Sequence, residues 1–165
     1  MARGRDEDSS EQIGRAYDRY ASGLYRYAVM ILADPDGAAD VIQQVFVAVL
    51  NRRITDIADL ERYLRRAVRN ECLSMLRGRR RESTRQSDRF ILELTDAGAD
   101  PADHMVIEEA LRALPPEQRE VIHLKLFEGM TFQEIAVITE ESINTIASRY
   151  RYAIDKLRPL LGERG

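Results

Sequence analysis

The chain has 165 residues, enough for one ordinary domain or two small ones. It is 44% hydrophobic and 32% charged with a net charge of −3 at neutral pH, which excludes a polycation that coats nucleic acid indiscriminately. No apolar run approaches the roughly eighteen residues of a membrane span, no hydrophobic signal core follows the polar N-terminus, and a single cysteine, Cys72, rules out an internal disulfide and fits a reducing cytoplasm.

After a polar tail (residues 1–9), apolar residues recur every three or four positions at Tyr17, Tyr20, Leu24, Tyr27 and Ile31, which predicts a helix from about Ser10 to Ala33. Asp34-Pro35 ends it and opens the next, with aspartate as N-cap and proline at the first helical position. The second helix carries Val41, Ile42, Val45, Phe46, Val49 and Leu50 on one face, while Asp40, Gln43 and Gln44 face elsewhere. A break over Asn51 to Ile57 leads to a long third helix with Leu60, Leu64, Ala67, Val68, Cys72 and Met75 on its apolar side. Periodicity fades after Glu82, so residues 83–100 read as a linker. Fully stretched it would reach about 60 Å. Asp100-Pro101 restarts helix, Leu114-Pro115-Pro116 breaks it, and Glu117 to Phe127 forms another, closed by Gly129. Thr131 followed by Glu134 is a capping box. Ser142 caps a final helix that should stop where Pro159 interrupts it, near Arg158. The expected fold is all-α: two small helical domains, 10–82 and 101–165, joined by a flexible linker.

Positive charge is almost all arginine, and it is gathered in two places. Arg62, Arg65, Arg66, Arg69, Arg77, Arg79, Arg80, Arg81 and Arg85 crowd one stretch; Arg149, Arg151 and Arg158 lie near the C-terminus. Two basic zones in an acidic protein point to two separate contacts.

The C-terminal pair of helices has the parts of a helix-turn-helix: a short helix, a three-residue corner and a longer helix. Ala136 lets the helices approach, and Ile135, Ile138, Ile143 and Ile146 are placed to fill the angle between them. Asn144, Thr145, Ser148, Arg149 and Arg151 then come from the outer side or edges of the second helix, where short polar groups meet base edges and arginines hold phosphates. The corner reads Glu140-Glu141-Ser142 without the glycine that positive φ favours, so Glu140 sits there only under strain. Periodicity alone leaves a DNA reader and a plain helical hairpin both open.

The whole pattern narrows the choice. "ALRALPPEQREVIHLKLFEGMTFQEIAVITEESINTIASRYRYAIDKLR" resembles region four of the extracytoplasmic-function (ECF) sigma factors, and "LYRYAVMILADPDGAADVIQQVFVAVL" with "RYLRRAVRNECLSMLRGRRR" resembles region two. The resemblance implies a bacterial initiation factor that binds core RNA polymerase, recognises promoter DNA and opens it, regulated by an anti-sigma factor, cytoplasmic and monomeric when free. Asp40, Gln43 and Phe46 match the motif that docks on the polymerase clamp, although Phe46 fits the core stripe equally well. The loop from Asn51 to Asp59 and the third helix should hold the minus-ten element, with Tyr63, Arg66, Arg69, Asn70 and Arg77 on the DNA side. The final helix should enter the major groove at the minus-thirty-five element through Ser142, Asn144, Thr145, Ser148, Arg149 and Arg151. Ala39, Gln44, Ser74 and Ala147 stand where relatives often carry charge.

No enzyme is expected. His104, His123 and Cys72 are scattered over separate helices, with no metal-ligand spacing, phosphate loop or cofactor motif. His123 reads as a helix-face residue and Cys72 as a small core residue. The alternatives are a sigma-like decoy that only occupies an anti-sigma factor, and a stand-alone helix-turn-helix regulator, which leaves the N-terminal half unexplained.

Overall fold

The structure, a computed structural model, describes residues 3–52, 59–79 and 101–162. The expected linker at 83–100 and most of the loop expected at 51–59 lie outside the described residues. The described residues are helical with intervening turns. Contacts divide the chain into two units: Met1–Ala28 with Asp36–Arg85, and Val29–Pro35 with Gln86–Gly165.

Three helices build the first unit: α1 (Arg3–Leu32), α2 (Pro35–Asn51) and α3 (Leu60–Arg79). The helix α1 starts seven residues earlier than its apolar stripe required, with Asp6 in the first turn complementing the helix dipole. It closes at Ala33, whose φ of 51° is left-handed and whose amide donates to the Val29 carbonyl at 2.7 Å. Its last turn belongs to the second unit. Within the first unit, Leu24 and Tyr27 of α1, Val41, Val45 and Val49 of α2, and Leu64, Val68 and Cys72 of α3 are buried. Tyr17 meets Phe46 edge-on, with centroids 5.0 Å apart, and so joins α1 to α2. Arg65 is buried on the core side of α3, its guanidinium 5.3 Å from the Tyr27 ring centre. Unlike the other five arginines of α3, this one packs inward over an aromatic face.

The second unit contains α4 (Pro101–Arg112), α5 (Pro116–Ile122), a π turn (His123–Phe127), α6 (Phe132–Thr139) and α7 (Ile143–Gly162). The last of these is its organising element and packs against α4, α5 and α6. Leu111, Leu114, Leu124, Ile135, Ile146 and Leu157 form much of the core.

Three expectations need correction here. The helix expected at 117–127 widens into a π turn in its last five residues: the Glu128 amide reaches back to the His123 carbonyl (3.1 Å) and the Met130 amide to the Leu124 carbonyl (3.0 Å). Gly129, at φ 69°, then turns the chain away. His123 is therefore no surface residue. It is buried, its Nε2 lies 3.0 Å from the Glu128 carboxylate, and the Phe127 ring stacks on it at 5.8 Å. Finally, α7 runs through Pro159 to Gly162. Proline removes one amide donor and crowds the preceding turn, yet Asp155, four residues back, is exposed, so water can serve its carbonyl.

Arg119 on α5 is a buried charge of the second unit. Its Nε donates to the Met30 carbonyl (2.7 Å), Nη2 to the Ile31 carbonyl (2.8 Å) and Nη1 to the Leu114 carbonyl (2.7 Å). Met30 and Ile31 lie in the last turn of α1, where backbone carbonyls have no partner within the helix. Burial pushes the guanidinium pKa down to about 10, with Glu117 raising it and Arg112 lowering it by smaller amounts, so the side chain keeps its charge at neutral pH.

Candidate nucleic-acid and protein interfaces

The outer face of α2 follows from helical spacing. Asp36, Asp40, Gln43 and Val47 succeed one another at three- and four-residue intervals and are all exposed. Asp40 and Gln43 thus stand on an open surface, as the sequence suggested. Phe46 does not. It is only 7% exposed and its ring packs edge-on against Tyr17. The apolar residue on this open face is Val47, 54% exposed, with Leu50 also exposed one turn further on. Sequence reasoning passed over Val47, although a signal existed: it is an apolar side chain off the stripe formed by Val41, Val45 and Val49. Beside this face, α1 and α2 enclose a groove of about 550 Å³ lined by Tyr17, Tyr25, Ile42 and Gln43.

On the other side of α2, a cleft of about 480 Å³ opens toward α3 and brings together Tyr63, Arg66 and Asn70 with Gln44, Arg52 and Glu71. These three expected residues share a face of α3 because they are spaced three and four apart. The cleft combines an aromatic wall, two amides able both to donate and accept, and two guanidinium groups. That set can stack on one flat heteroaromatic ring, bond its edge and hold its phosphate. Gln44, placed off the apolar stripe of α2 by its sequence, and Arg52, just past the end of α2, join this cleft because of where α2 packs against α3, which is a tertiary fact. The cleft does not include Arg69, which is half-buried, or Arg77, which is exposed farther along α3.

In the second unit the corner between α6 and α7 is fully capped. Thr131 Oγ1 accepts from the Glu134 amide (3.1 Å) and donates to the Glu134 carboxylate (3.1 Å). Thr139 closes the end of α6 by donating to the Ile135 carbonyl at 2.9 Å. Glu140 is left-handed (φ 57°, ψ 34°), and its amide and that of Glu141 both donate to the Ala136 carbonyl. Ser142 Oγ then accepts from the Thr145 amide (3.1 Å) and shares a hydrogen bond with the Thr145 hydroxyl (2.9 Å). Ser142 and Thr145 are consequently occupied in starting α7. Of the four isoleucines expected in the angle, Ile135 and Ile146 are fully buried and Ile138 is partly so; Ile143 is 48% exposed because it sits in the first turn, beyond the crossing.

Asn144 and Arg151 are exposed on α7, Ser148 is half-exposed, and Arg149 is half-buried with its Nη2 3.1 Å from Glu141 Oε1. Arg151 leans over the Tyr152 ring at 5.5 Å. A left-handed non-glycine residue costs about 1–2 kcal/mol. Replacing Glu140 with glycine should therefore stabilise the chain by about 0.5–1 kcal/mol after glycine's own entropy loss, measured as a raised thermal midpoint.

Comparison with known proteins gives this geometry a family. Residues 16–82 match the family model for sigma-70 region 2, and residues 104–157 match that for sigma-70 region 4. The chain is 31% identical to the ECF RNA polymerase sigma factor SigL of Mycobacterium tuberculosis over 90% of its length and 88% of that protein. It is 28% identical to RNA polymerase sigma-E factor of Streptomyces avermitilis over 99% of its length and 90% of that protein. Among solved structures, the sigma factor RpoE in complex with the anti-sigma factor NepR from Bartonella quintana superposes with a TM-score of 0.74 at 25% identity, covering 90% of this chain and 96% of that one. The chain belongs to the ECF family of RNA polymerase sigma factors, which direct the initiation of transcription.

Proposed function

We propose that the two units divide promoter recognition between them. In the first, the α2 face carrying Asp40, Gln43 and Val47 docks on core polymerase, and the cleft holding Tyr63, Arg66 and Asn70 takes a base of the minus-ten element once it leaves the duplex. Arg69 and Arg77 hold neighbouring phosphates. Unstacking a base costs a few kcal/mol, and the cleft supplies the replacement: an aromatic wall, amide hydrogen bonds and positive charge. In the second unit α7 enters the major groove at the minus-thirty-five element. Asn144, Ser148 and Arg151 meet base edges there, Arg149 meets phosphate, and the capped start of α7 (Ser142, Thr145) fixes the angle of entry.

The observation that carries this reading is the cleft itself, which collects residues from α2 and α3 with the chemistry of base capture. Polymerase adds the affinity that a net-negative chain lacks on its own. The chain acts in the cytoplasm, as a monomer, without a cofactor and without catalysing a reaction itself. An anti-sigma factor is the expected regulator, since the RpoE structure is a complex with one.

Purified chain added to core polymerase should yield transcripts that start at defined promoters, and Arg149→Ala should reduce them severalfold. A decoy would bind an anti-sigma factor yet give no transcripts. A stand-alone regulator would bind DNA equally well without polymerase. Either result would overturn the reading.

A further inference from the structure

Arg149 is already engaged before any DNA arrives. Its Nη2 donates to Glu141 Oε1 at 3.1 Å, across eight residues and the corner that starts α7. Such a pair is not the usual i,i+4 contact of a helix face. It exists because Glu140 takes the left-handed conformation and so turns Glu141, whose amide bonds to the Ala136 carbonyl, back over the first turns of α7. The Glu141 side chain is 40% exposed and that of Arg149 23%, so the pair lies at the rim of the surface that would face DNA.

We propose that Glu141 is an affinity-setting residue for promoter DNA that acts through Arg149. This rests on α7 being the minus-thirty-five reader. In the unbound chain the carboxylate occupies the guanidinium. On binding, a phosphate must displace it, and the released carboxylate is left beside the DNA backbone, where negative charge is unfavourable. The second unit therefore holds its duplex weakly by itself, and its grip becomes sufficient when polymerase anchors the first unit.

The test uses holoenzyme reconstituted from the full chain and a labelled duplex bearing a promoter that the wild-type holoenzyme transcribes. Dissociation constants are measured over a salt series for wild type, Glu141→Gln, Arg149→Ala and the double variant. Glu141→Gln should tighten binding about two- to fivefold at low salt, the range for a partly exposed ion pair, with the gain fading as salt rises. In the Arg149→Ala background the same substitution should give a clearly smaller gain. If Arg149→Ala weakens binding while Glu141→Gln leaves it unchanged or weaker, the proposal falls and the minus-thirty-five reading stands. An equal gain in both backgrounds also overturns it, because Glu141 would then act as a bulk charge. If Arg149→Ala itself changes nothing, the reading of α7 falls and takes the proposal with it.

Discussion

Val47→Glu should abolish promoter-specific transcription while leaving the thermal midpoint of the chain nearly unchanged, and Phe46→Ala should do the reverse. Val47 is 54% exposed on the face that also carries Asp40 and Gln43. An apolar side chain covered by a partner contributes to the interface, and a carboxylate forced into its place must be desolvated without a partner. The expected loss of polymerase affinity is at least about 2 kcal/mol, roughly thirtyfold. No core contact is lost, so stability should change by less than about 0.5 kcal/mol. Phe46, by contrast, is 7% exposed and holds the Tyr17 ring edge-on at 5.0 Å. Removing it should cost about 3–5 kcal/mol of stability, with polymerase affinity recovering when the assay is run well below the lowered midpoint. The pair is read by thermal unfolding alongside competition for core polymerase with a reference sigma factor. If Phe46→Ala were stable and failed to bind while Val47→Glu bound normally, the docking face would lie elsewhere.

This pair also shows why the helices were easier to derive than the surfaces. Val41, Val45, Phe46 and Val49 recur at helical spacing, so α2 and its buried side followed from periodicity. Val47 stands off that stripe, which points to exposure, but whether a partner element covers it depends on tertiary packing. The same limit explains Arg65 and Arg119. Arg65 belongs to the arginine-rich stretch read as a DNA contact and Arg119 to neither basic group, yet both are buried in the structure, one over Tyr27 and the other against three backbone carbonyls. The corner of the helix-turn-helix was legible because capping is local. Thr131, Ser142 and the strained Glu140 are determined within four residues of sequence. The π turn escaped because no local pattern of side chains marks it, and the cleft escaped because a cleft between two helices has no signature on either one.

Replacing Arg119 with methionine should destabilise the chain by about 3–5 kcal/mol, the range for breaking a buried, hydrogen-bonded charge site. The guanidinium donates one hydrogen bond to each of the Met30, Ile31 and Leu114 carbonyls at 2.7–2.8 Å. Methionine fills similar volume but donates nothing, so three buried carbonyls would lose their partner. Lysine retains the charge, yet its single ammonium cannot reach three acceptors spread along a planar fork. Arg119→Lys should therefore recover only part of the loss, leaving a deficit of about 1–3 kcal/mol. Burial lowers the Arg119 pKa to about 10, below its value in the unfolded chain. Between these values the unfolded chain binds the proton more tightly, so this group's contribution to stability rises with pH there. Below about pH 9 the group is protonated in both states, and the loss caused by methionine should be flat with pH from 6 to 9. A loss that varied strongly across that window would mean that Arg119 acts through a titrating neighbour, and a loss below about 1 kcal/mol would mean that water serves the three carbonyls as well as the guanidinium does.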